Sequence, residues 1–324
     1  MIVLQLNFQT APNLLNLLKN YICCSVQGKQ LGNQMKKWIE AMRLRTLPVS
    51  VSGVLGGVAC GIMQGEFALV PGVLCLLFAV LAQIASNFGN EYYDFKKGVD
   101  RKGRQGFRRG VTEGDITPQA MKWATFGTLG AAAATGCLML FYGEWWMVPT
   151  GICIGIFALA YSAGPYPLSH HGLGDIAVAV FFGVVPVTLT CWLQQGGWEG
   201  LHLSLPLSGT IGLLAANVLV VNNYRDMDDD MAVGKKTTVV IFGRKAMGWY
   251  YLVSGFIAMG LAIPVLHHLP PYAWGIPAVY LCLHIATWRR VVTSKGASLN
   301  PLLGATARNL LIFTMLILIV SCLS

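Results

Sequence analysis

Long apolar runs, separated by short polar segments, occupy most of the chain after residue 45. Each run is close to the roughly 20 residues that an α-helix needs to cross the hydrocarbon core of a bilayer. We therefore predict an all-α integral membrane bundle of nine transmembrane helices. The predicted spans are residues 46–64, 68–90, 118–141, 146–162, 173–194, 206–223, 246–266, 271–289 and 303–322.

The composition agrees with this pattern. Hydrophobic residues make up 55% of the chain and charged residues only 11%, with a mean hydropathy of +0.57. A soluble domain carries about 25% charged residues, so a soluble protein is excluded. The 37 glycines suit helices that approach one another closely in lipid.

Basic residues are confined to one side of the predicted bundle. The 23 lysines and arginines lie in the N-terminal segment, in the loops after spans 2, 6 and 8, or at the edges of the adjoining spans. By the positive-inside rule this side faces the cytoplasm, which places the N-terminus inside and the C-terminus outside. The net charge of +9 reflects this sidedness and gives no reason to invoke nucleic acid. Residues 1–37 are expected to form a cytoplasmic or interfacial extension before a membrane domain of residues 38–324.

One polar motif occurs twice, each time at the cytoplasmic end of an apolar run. The spacing N-x2-[N/D]-x3-D-x3-G is met first by Asn87, Asn90, Asp94 and Gly98, and again by Asn223, Asp226, Asp230 and Gly234. Residues three or four apart share a helix face, and glycine commonly ends a helix. Each copy is thus a stripe of amide and carboxylate oxygens. Two facing stripes would form a cage for a hard divalent cation such as Mg²⁺.

The second copy contains a local electrostatic conflict. Asp226 and Asp230 are like charges at positions i and i+4, which destabilise a bare helix by about 0.2–0.5 kcal/mol. Both lie near the C-terminus of a helix, whose dipole disfavours anions. A bound cation removes both penalties, and a conflict of this kind indicates a functional site. The alternative is a polar loop between two helices.

Basic residues follow each acidic stripe. Arg104 and Arg109 come after the first copy, and Lys235 directly follows the glycine of the second. A guanidinium matches phosphate oxygens in charge and shape, so these residues are candidate phosphate ligands. The alternative is a basic loop that only sets the topology, which we favour for Lys96 and Lys97.

Two further segments lie on the same side of the predicted bundle. Arg43 precedes the first span and Tyr161 ends the fourth. Both could face the cavity, although an arginine at a helix entrance is commonly an anchor and a tyrosine there commonly belongs to the aromatic belt. Asp175 is expected to cap the fifth span. His170 and His171 lack metal-ligand spacing with any other histidine and are expected at the surface.

Four separated segments carry a combined pattern of polar residues, glycine and proline. They are Arg43 with Thr46-Leu47-Pro48, Asn90-Glu91-Tyr92-Tyr93-Asp94 with Gly98-Val99-Asp100, Gly164-Pro165-Tyr166-Pro167-Leu168 with Gly172-Leu173-Gly174-Asp175, and Asn222-Asn223-Tyr224-Arg225-Asp226 with Asp230 and Gly234-Lys235-Lys236-Thr237. In this order they resemble the UbiA family of intramembrane aromatic prenyltransferases, and within it the 1,4-dihydroxy-2-naphthoate polyprenyltransferases. The resemblance covers about residues 38–320. Two positions depart from the family pattern, because Glu91 stands where aspartate is usual and Phe107 replaces a proline.

The resemblance implies a nine-helix bundle with a central cavity open to the cytoplasm and laterally to lipid. A polyprenyl diphosphate would lie with its tail in the membrane and its head on Mg²⁺. The electron-rich ring of 1,4-dihydroxy-2-naphthoate would attack the allylic cation, and loss of CO2 would give a demethylmenaquinone. Such an enzyme serves menaquinone biosynthesis and, in a bacterium, lies in the inner membrane.

The resemblance also implies roles for particular residues. Asn90, Asp94, Asp226 and Asp230 would be the metal ligands. The diphosphate would be bound by Arg104, Arg109, Lys235, Asn87 and Asn223. Arg43 and Tyr161 would complete the catalytic cavity with the three aspartates.

Two other functions are compatible with the sequence. The same chemistry could act on another ring, such as 4-hydroxybenzoate, although Asn222 and Asn223 with Arg225 favour the naphthoate group. An ion-coupled transporter would place its site near the bilayer midplane on broken helices. Here the ionisable residues lie at helix ends, which argues against transport.

Overall fold

The computed structural model describes residues 34–103 and 106–324. Within them the chain is helical and contains no β-strand. The helices are α1 (34–42), α2 (Leu47–Ile62), α3 (Leu69–Lys96), α4 (Pro118–Met139), α5 (Met147–Ala160), α6 (Gly174–Gln195), α7 (Leu201–Ala232), α8 (Thr238–Leu261), α9 (Gly275–Thr293) and α10 (Asn300–Leu323). Most of the predicted N-terminal extension, residues 1–33, lies outside the described residues.

Every predicted span coincides with one helix of the series α2 to α10. In the described part of the chain six segments are long and apolar enough to cross a membrane, and α5 is a shorter apolar helix. The six are Gln34–Ile62, Leu69–Lys96, Gly174–Gln195, Leu201–Ala232, Thr238–Leu266 and Gly296–Leu323. The predicted all-α membrane fold is thus confirmed, and the chain is a multi-pass membrane protein. The count of nine crossings stays a prediction, because α4, α5 and α9 are not among the six.

α3 and α7 are longer than the spans predicted for them. The apolar runs end near residues 90 and 223, whereas the helices continue to Lys96 and Ala232. With 28 and 32 residues they are about 42 and 48 Å long, against a hydrocarbon core of about 30 Å. Their polar final turns therefore project beyond the apolar region, and both motifs lie on these projecting ends.

α7 is the central helix of the bundle. Its Leu207, Ile211 and Leu214 are fully buried and belong to the largest hydrophobic cluster of the described residues. α2, α6, α8 and α10 pack around it. This central position places the second motif at one end of the bundle core rather than on its periphery.

Glycines let α2, α6 and α7 approach one another closely. A Cβ atom added to Gly57 of α2 would lie 2.6 Å from the Val187 carbonyl oxygen of α6. α6 contains a π-helical segment, Ala179–Val184, and a Cβ atom on Gly183 within it would lie 2.5 Å from the Gly212 Cα of α7. Small residues at such crossings are the usual means of helix association in lipid. π-Helical turns are frequent beside functional sites, and this one borders the polar cavity described below.

Candidate active site

A polar cavity of about 580 Å³ lies between the projecting ends of α3 and α7. It is lined by many of the residues predicted for the site, namely Arg43, Asn87, Asn90, Arg109, Tyr161, Asn223 and Lys235. The predicted carboxylates Asp94, Asp226 and Asp230 are buried, with exposures of 2%, 1% and 4%. Residues of both motifs therefore line one cavity.

The two motifs end their helices in the same way. Gly98 and Gly234 have φ values of 68° and 74°, the left-handed conformation that glycine adopts freely. The amide of the next residue donates to the carbonyl oxygen of the preceding aspartate in both copies, Val99 to Asp94 and Lys235 to Asp230, each at 2.9 Å. This is the Schellman pattern of helix termination. The predicted glycine stops are confirmed, and the last aspartate of each motif occupies an equivalent position.

The first motif leaves buried oxygen atoms without hydrogen-bond donors. Asn90 Oδ1 and Asp94 Oδ1 are buried and accept no hydrogen bond from the described residues. His170 Nε2 lies 3.5 Å from Asp94 Oδ1, which is long for a hydrogen bond. A buried acceptor without a donor destabilises a protein by about 1–3 kcal/mol. Two such oxygens on one helix face are therefore suited to a cation.

The second motif is held by an arginine that the sequence analysis left without a role. Arg225 donates from Nε and Nη2 to the two carboxylate oxygens of Asp226, both at 2.7 Å. It also donates to Asn222 Oδ1 at 2.8 Å and Asn300 Oδ1 at 2.9 Å. Asp226 can therefore ligate a cation only while it shares its oxygens with Arg225. Asp230 Oδ1 lies 3.5 Å from Lys235 Nζ.

The donor atoms of the two motifs fit Mg²⁺. This ion prefers carboxylate and amide oxygens and usually keeps several water or phosphate oxygens in its shell. Among the described residues, no group of three or more His, Cys, Asp or Glu side chains could hold a metal by itself. An ion at this site would therefore combine oxygens from both motifs with oxygens of a phosphate or of water.

Arg109 is well prepared to bind an anion. Its Nε lies 3.4 Å from Asp100 Oδ2, and its Nη1 is buried and meets no hydrogen-bond acceptor within the described ranges. The ion pair orients the guanidinium and leaves Nη1 for a phosphate oxygen. Lys235 lines the same cavity. Arg104 lies outside the described residues, so its role stays a prediction.

Asp115, in the loop that carries Arg109, forms ion pairs with Lys37 of α1 and with Arg108 of the same loop. Arg108 Nη2 and Lys37 Nζ lie 2.6 and 3.2 Å from the Asp115 carboxylate. Slight burial raises the pKa of the Asp115 carboxyl, but the hydrogen bonds from Arg108 and Lys37 outweigh this effect and lower the pKa. The carboxylate therefore stays ionised at neutral pH and can pair with both cations.

The turn between α1 and α2 presents Arg43 to the cavity in a strained conformation. Arg43 has φ 55° and ψ 52°, and among the described residues it is the one non-glycine with a positive φ. The left-handed region costs an L-residue about 1–2 kcal/mol, and strain of this kind concentrates at functional sites. Two hydrogen bonds fix the turn, because Asn87 Nδ2 donates to the Met42 carbonyl at 3.0 Å and the Thr46 hydroxyl donates to the Arg43 carbonyl at 2.9 Å. Asn87 thus keeps one N–H for a ligand.

Comparison with known proteins decides the family, because the profile of the UbiA prenyltransferase family matches residues 50–321. The chain belongs to this family. A 1,4-dihydroxy-2-naphthoate octaprenyltransferase of Haemophilus influenzae is 36% identical over 224 residues, which cover 66% of this chain and 72% of the relative. The enzyme of the same name from Mycobacterium tuberculosis is 29% identical over 282 residues, or 86% of this chain and 94% of the relative.

Solved structures share the fold. A UbiA homolog from Archaeoglobus fulgidus bound to DMAPP and Mg²⁺ has a TM-score of 0.60 at 19% identity, over 88% of this chain and 99% of that chain. The apo structure of a UbiA homolog from Aeropyrum pernix has a TM-score of 0.65 at 15% identity, over 83% of this chain and 94% of that chain. The UbiA fold and the prenyltransferase class implied by the sequence resemblance are both confirmed.

In this UbiA prenyltransferase, Glu91 anchors the basic loop. Glu91 is 1% exposed, and its Oε1 accepts a hydrogen bond from the Val111 amide at 2.9 Å. The side chain of glutamate is one methylene longer than that of the usual aspartate and reaches the loop after α3. Glu91 is therefore a structural partner of the loop that carries Arg109, and its Oε1 is engaged by that loop.

Phe107, the second departure from the family pattern, lies between two arginines. Its ring centroid is 4.9 Å from the guanidinium carbon of Arg45 and 5.0 Å from that of Arg225, within the range of cation–π attraction. The ring also lines the polar cavity. This contact joins three segments that are far apart in sequence, so no local pattern could have revealed it.

Lys97, which the sequence analysis treated as a topology signal, joins two segments of the UbiA fold. Its Nζ donates to the Ser162 carbonyl at 2.9 Å and the Gly164 carbonyl at 3.0 Å. Partial burial lowers the pKa of the Lys97 ammonium, and the Asp94 carboxylate opposes this shift. The end of α3 is thereby tied to the segment after α5.

Expectations for the segment after α5 are wrong in two respects. His170 and His171 are predicted at the surface, but both are half-buried. They are covered because this segment packs against the loop after α7. The Lys236 amide of that loop donates to the His170 carbonyl at 3.0 Å. Asp175 is predicted to cap α6, but it lies within the first turn and accepts a hydrogen bond from the Thr238 hydroxyl of α8. A tertiary partner replaces the local cap.

Proposed function

We propose that the chain transfers a polyprenyl group from polyprenyl diphosphate to 1,4-dihydroxy-2-naphthoate with decarboxylation. The direct product is the reduced, quinol form of a demethylmenaquinone, an intermediate of menaquinone biosynthesis, because both ring hydroxyls remain when CO2 leaves. The observation that supports this proposal is the polar cavity, which is lined by residues of both motifs and by basic groups and in which Asn90 Oδ1 is buried and accepts no hydrogen bond from the described residues. The relatives named for this reaction support the naphthoate as acceptor.

In this proposal Mg²⁺ would be held by Asn90, Asp94, Asp226 and Asp230. When bound there, the ion would supply Lewis-acid stabilisation to the departing diphosphate. Arg109, Lys235 and Arg104 bind diphosphate oxygens, with Asn87 and Asn223 donating from their amides. Preorganised donors aimed at developing charge lower the barrier to departure.

The remaining chemistry belongs to the substrates and the cavity wall. As the bond between the allylic carbon and the diphosphate oxygen breaks, the electron-rich ring carbon of the naphthoate forms the new bond to that carbon. The carboxylate leaves as CO2, and its bonding electrons return to the ring. Arg43 and Tyr161 line the cavity and orient the acceptor.

The proposed orientation follows from the basic residues. α2 to α10 each cross the bilayer once, and the polar cavity faces the cytoplasm of a bacterial inner membrane. The N-terminal extension then lies inside and the C-terminus outside. Arg43, Arg109 and Lys235 all line the cavity, so the residues that set the topology and those that bind diphosphate are on the same side.

Mg²⁺ dependence of the purified protein tests the proposed reaction. In lipid nanodiscs with 1,4-dihydroxy-2-naphthoate and octaprenyl diphosphate, we expect a prenylated product by mass spectrometry that disappears with EDTA and returns with excess Mg²⁺. Turnover with 4-hydroxybenzoate but not with the naphthoate would support the prenyl-transfer mechanism and identify a different aromatic acceptor. A folded protein without product from any acceptor would contradict the proposal and favour the transporter alternative.

Arg43→Gly removes the guanidinium and also relieves the backbone strain, so its effects on activity and on stability can be told apart. Relief of about 1–2 kcal/mol of left-handed strain offsets the roughly 0.5–1 kcal/mol entropic penalty of glycine. We therefore expect the free energy of unfolding to stay within about 1 kcal/mol of the parent, while kcat/KM falls by roughly a hundredfold because an oriented cation is lost. Arg43→Lys, which keeps the charge and the strain, is the control. Full activity of Arg43→Gly would limit Arg43 to anchoring the turn.

A further inference from the structure

Two histidines lie side by side at the end of the bundle opposite the polar cavity. His202 is in the first turn of α7, and His268 follows the apolar segment that extends α8 to Leu266. Their ring centroids are 5.5 Å apart, and both side chains are exposed. α7 is about 48 Å long, and the second motif lies at its other end. The pair is therefore separate from the site proposed for Mg²⁺.

Both imidazole rings are oriented by their own backbone. His202 Nδ1 lies 2.8 Å from the Glu199 carbonyl oxygen, and His268 Nδ1 lies 2.9 Å from the Pro264 carbonyl oxygen. A carbonyl oxygen only accepts hydrogen bonds, so Nδ1 carries the hydrogen atom in each ring. The neutral imidazole then has its lone pair on Nε2, and neither Nε2 atom has a hydrogen-bond partner among the described residues. Metal-binding histidines are oriented in this way.

The distance between the two rings suits a shared ion. Zinc binds histidine nitrogens at about 2.0–2.1 Å in tetrahedral geometry, so two imidazoles on one ion have ring centroids roughly 5 Å apart. The observed 5.5 Å differs from this value by no more than a small side-chain rotation supplies. Within the part of the chain that the structure describes, no third His, Cys, Asp or Glu joins the pair. Water would therefore complete the coordination.

No basic residue nearby in sequence opposes a cation at this pair. Residues 123–224, which lead from α4 into α7, contain no Lys or Arg, and neither do residues 246–288 of α8 and α9. Glu199 adds a carboxylate just before His202. The N-terminus of α7 disfavours a cation, whereas the C-terminus of the segment that ends at Leu266 favours one, so these two helix dipoles offset each other.

We propose that His202 and His268 bind a Zn²⁺ ion through their Nε2 atoms. Imidazole suits Zn²⁺, Cu²⁺ and Ni²⁺, whereas Mg²⁺ prefers oxygen ligands, so the two ends of the bundle select different ions. The zinc ion links the start of α7 to the end of α8 and holds together two loops at this end of the bundle. The proposal does not depend on the proposed function, because the pair takes no part in prenyl transfer.

Zinc titration of the purified full chain, without a histidine tag, tests the site. Excess Mg²⁺ is present to occupy the oxygen ligands of the two motifs. We expect calorimetry to show Zn²⁺ binding that His202→Gln and His268→Gln each weaken by at least about tenfold, since even changes outside the ligands weaken metal binding by about 10–100-fold. The double variant should bind no more weakly than either single variant, because both imidazoles hold the same ion.

His267→Gln is the matched control. His267 is exposed and adjacent to His268, but its ring packs edge-on against Trp274 at a centroid distance of 5.1 Å. We expect this variant to bind Zn²⁺ like the parent. Zinc bound by exposed thiols is common to all the variants and cancels in the comparison. The melting temperature in EDTA should be the same for the parent and the three single variants, since all three side chains are exposed.

Cu²⁺ identifies the ligand atoms directly, because it binds more tightly than Zn²⁺ to such sites. We expect the electron paramagnetic resonance spectrum of the parent to show coupling to two imidazole nitrogens and that of His202→Gln to lose it. Equal Zn²⁺ affinity in the parent, His202→Gln and His268→Gln would overturn the site. An equal loss of affinity in His267→Gln would also overturn it. Prenyl transfer with Mg²⁺ should be unchanged in His202→Gln, so the failure of either proposal can be recognised without the other.

Discussion

Asp94→Asn is expected to lower the rate of prenyl transfer by roughly a thousandfold without disturbing the fold. Asparagine has the same shape as aspartate but lacks the charge that holds a divalent cation against the diphosphate. Because Asp94 Oδ1 is buried and accepts no hydrogen bond from the described residues, removal of the charge should also raise the melting temperature in EDTA. Initial rates across a Mg²⁺ titration and thermal unfolding with and without EDTA measure both effects.

Asp228→Asn is the matched control for this change. Asp228 lies in the second motif segment, but its side chain is 80% exposed and pairs with Arg244 at 2.9 Å. An exposed ion pair contributes little, so we expect the control to keep the parent's activity and melting temperature. Asp94→Asn with full activity at the same Mg²⁺ concentration would contradict the metal role. An activity loss with an unchanged Mg²⁺ dependence and a lowered melting temperature would instead assign Asp94 to packing.

The helices and the two motifs could be predicted from the sequence because both are local patterns. Apolar runs predict helix positions, and three- or four-residue spacing places each motif on one helix face. The helix ends were harder to predict, since α3 continues to Lys96 and α7 to Ala232 through residues of low hydropathy. Hydropathy alone would place these last helical turns in loops. In the structure they are helical, and they hold the final aspartate of each motif.

Contacts between distant segments could not be predicted. The hydrogen bonds of Arg225 to Asp226 and Asn300 depend on how α7 meets α10, which no spacing within α7 reveals. The same holds for Phe107 between Arg45 and Arg225. These contacts decide how freely each predicted ligand can reach a cation, so a motif that is correctly located still leaves the roles of its members open.

Arg225→Ala has the largest stability effect that we expect from the site. Arg225 is 4% exposed, and it donates two hydrogen bonds of 2.7 Å to Asp226. Removing one member of a buried ion pair typically destabilises a protein by about 3–5 kcal/mol, because the remaining charge loses the hydrogen bonds that the guanidinium donated. Unfolding of the purified protein in detergent with EDTA measures this loss. Arg225→Lys keeps a charge but cannot form the two-pronged contact, and we expect an intermediate loss.

Mg²⁺ distinguishes a structural ion pair from a shared metal ligand at Asp226. In Arg225→Ala the Asp226 carboxylate has lost the positive charge of the guanidinium. If Asp226 binds Mg²⁺, the ion neutralises this carboxylate instead, so Mg²⁺ should stabilise Arg225→Ala more than it stabilises the parent. The double variant Arg225→Ala with Asp226→Ala removes both charges. We expect it to be more stable in EDTA than Arg225→Ala alone and to lose the additional Mg²⁺ effect, as coupled residues do. Equal stabilisation by Mg²⁺ in the parent and Arg225→Ala would leave Asp226 as the partner of Arg225 and reduce the proposed metal ligands to Asn90, Asp94 and Asp230.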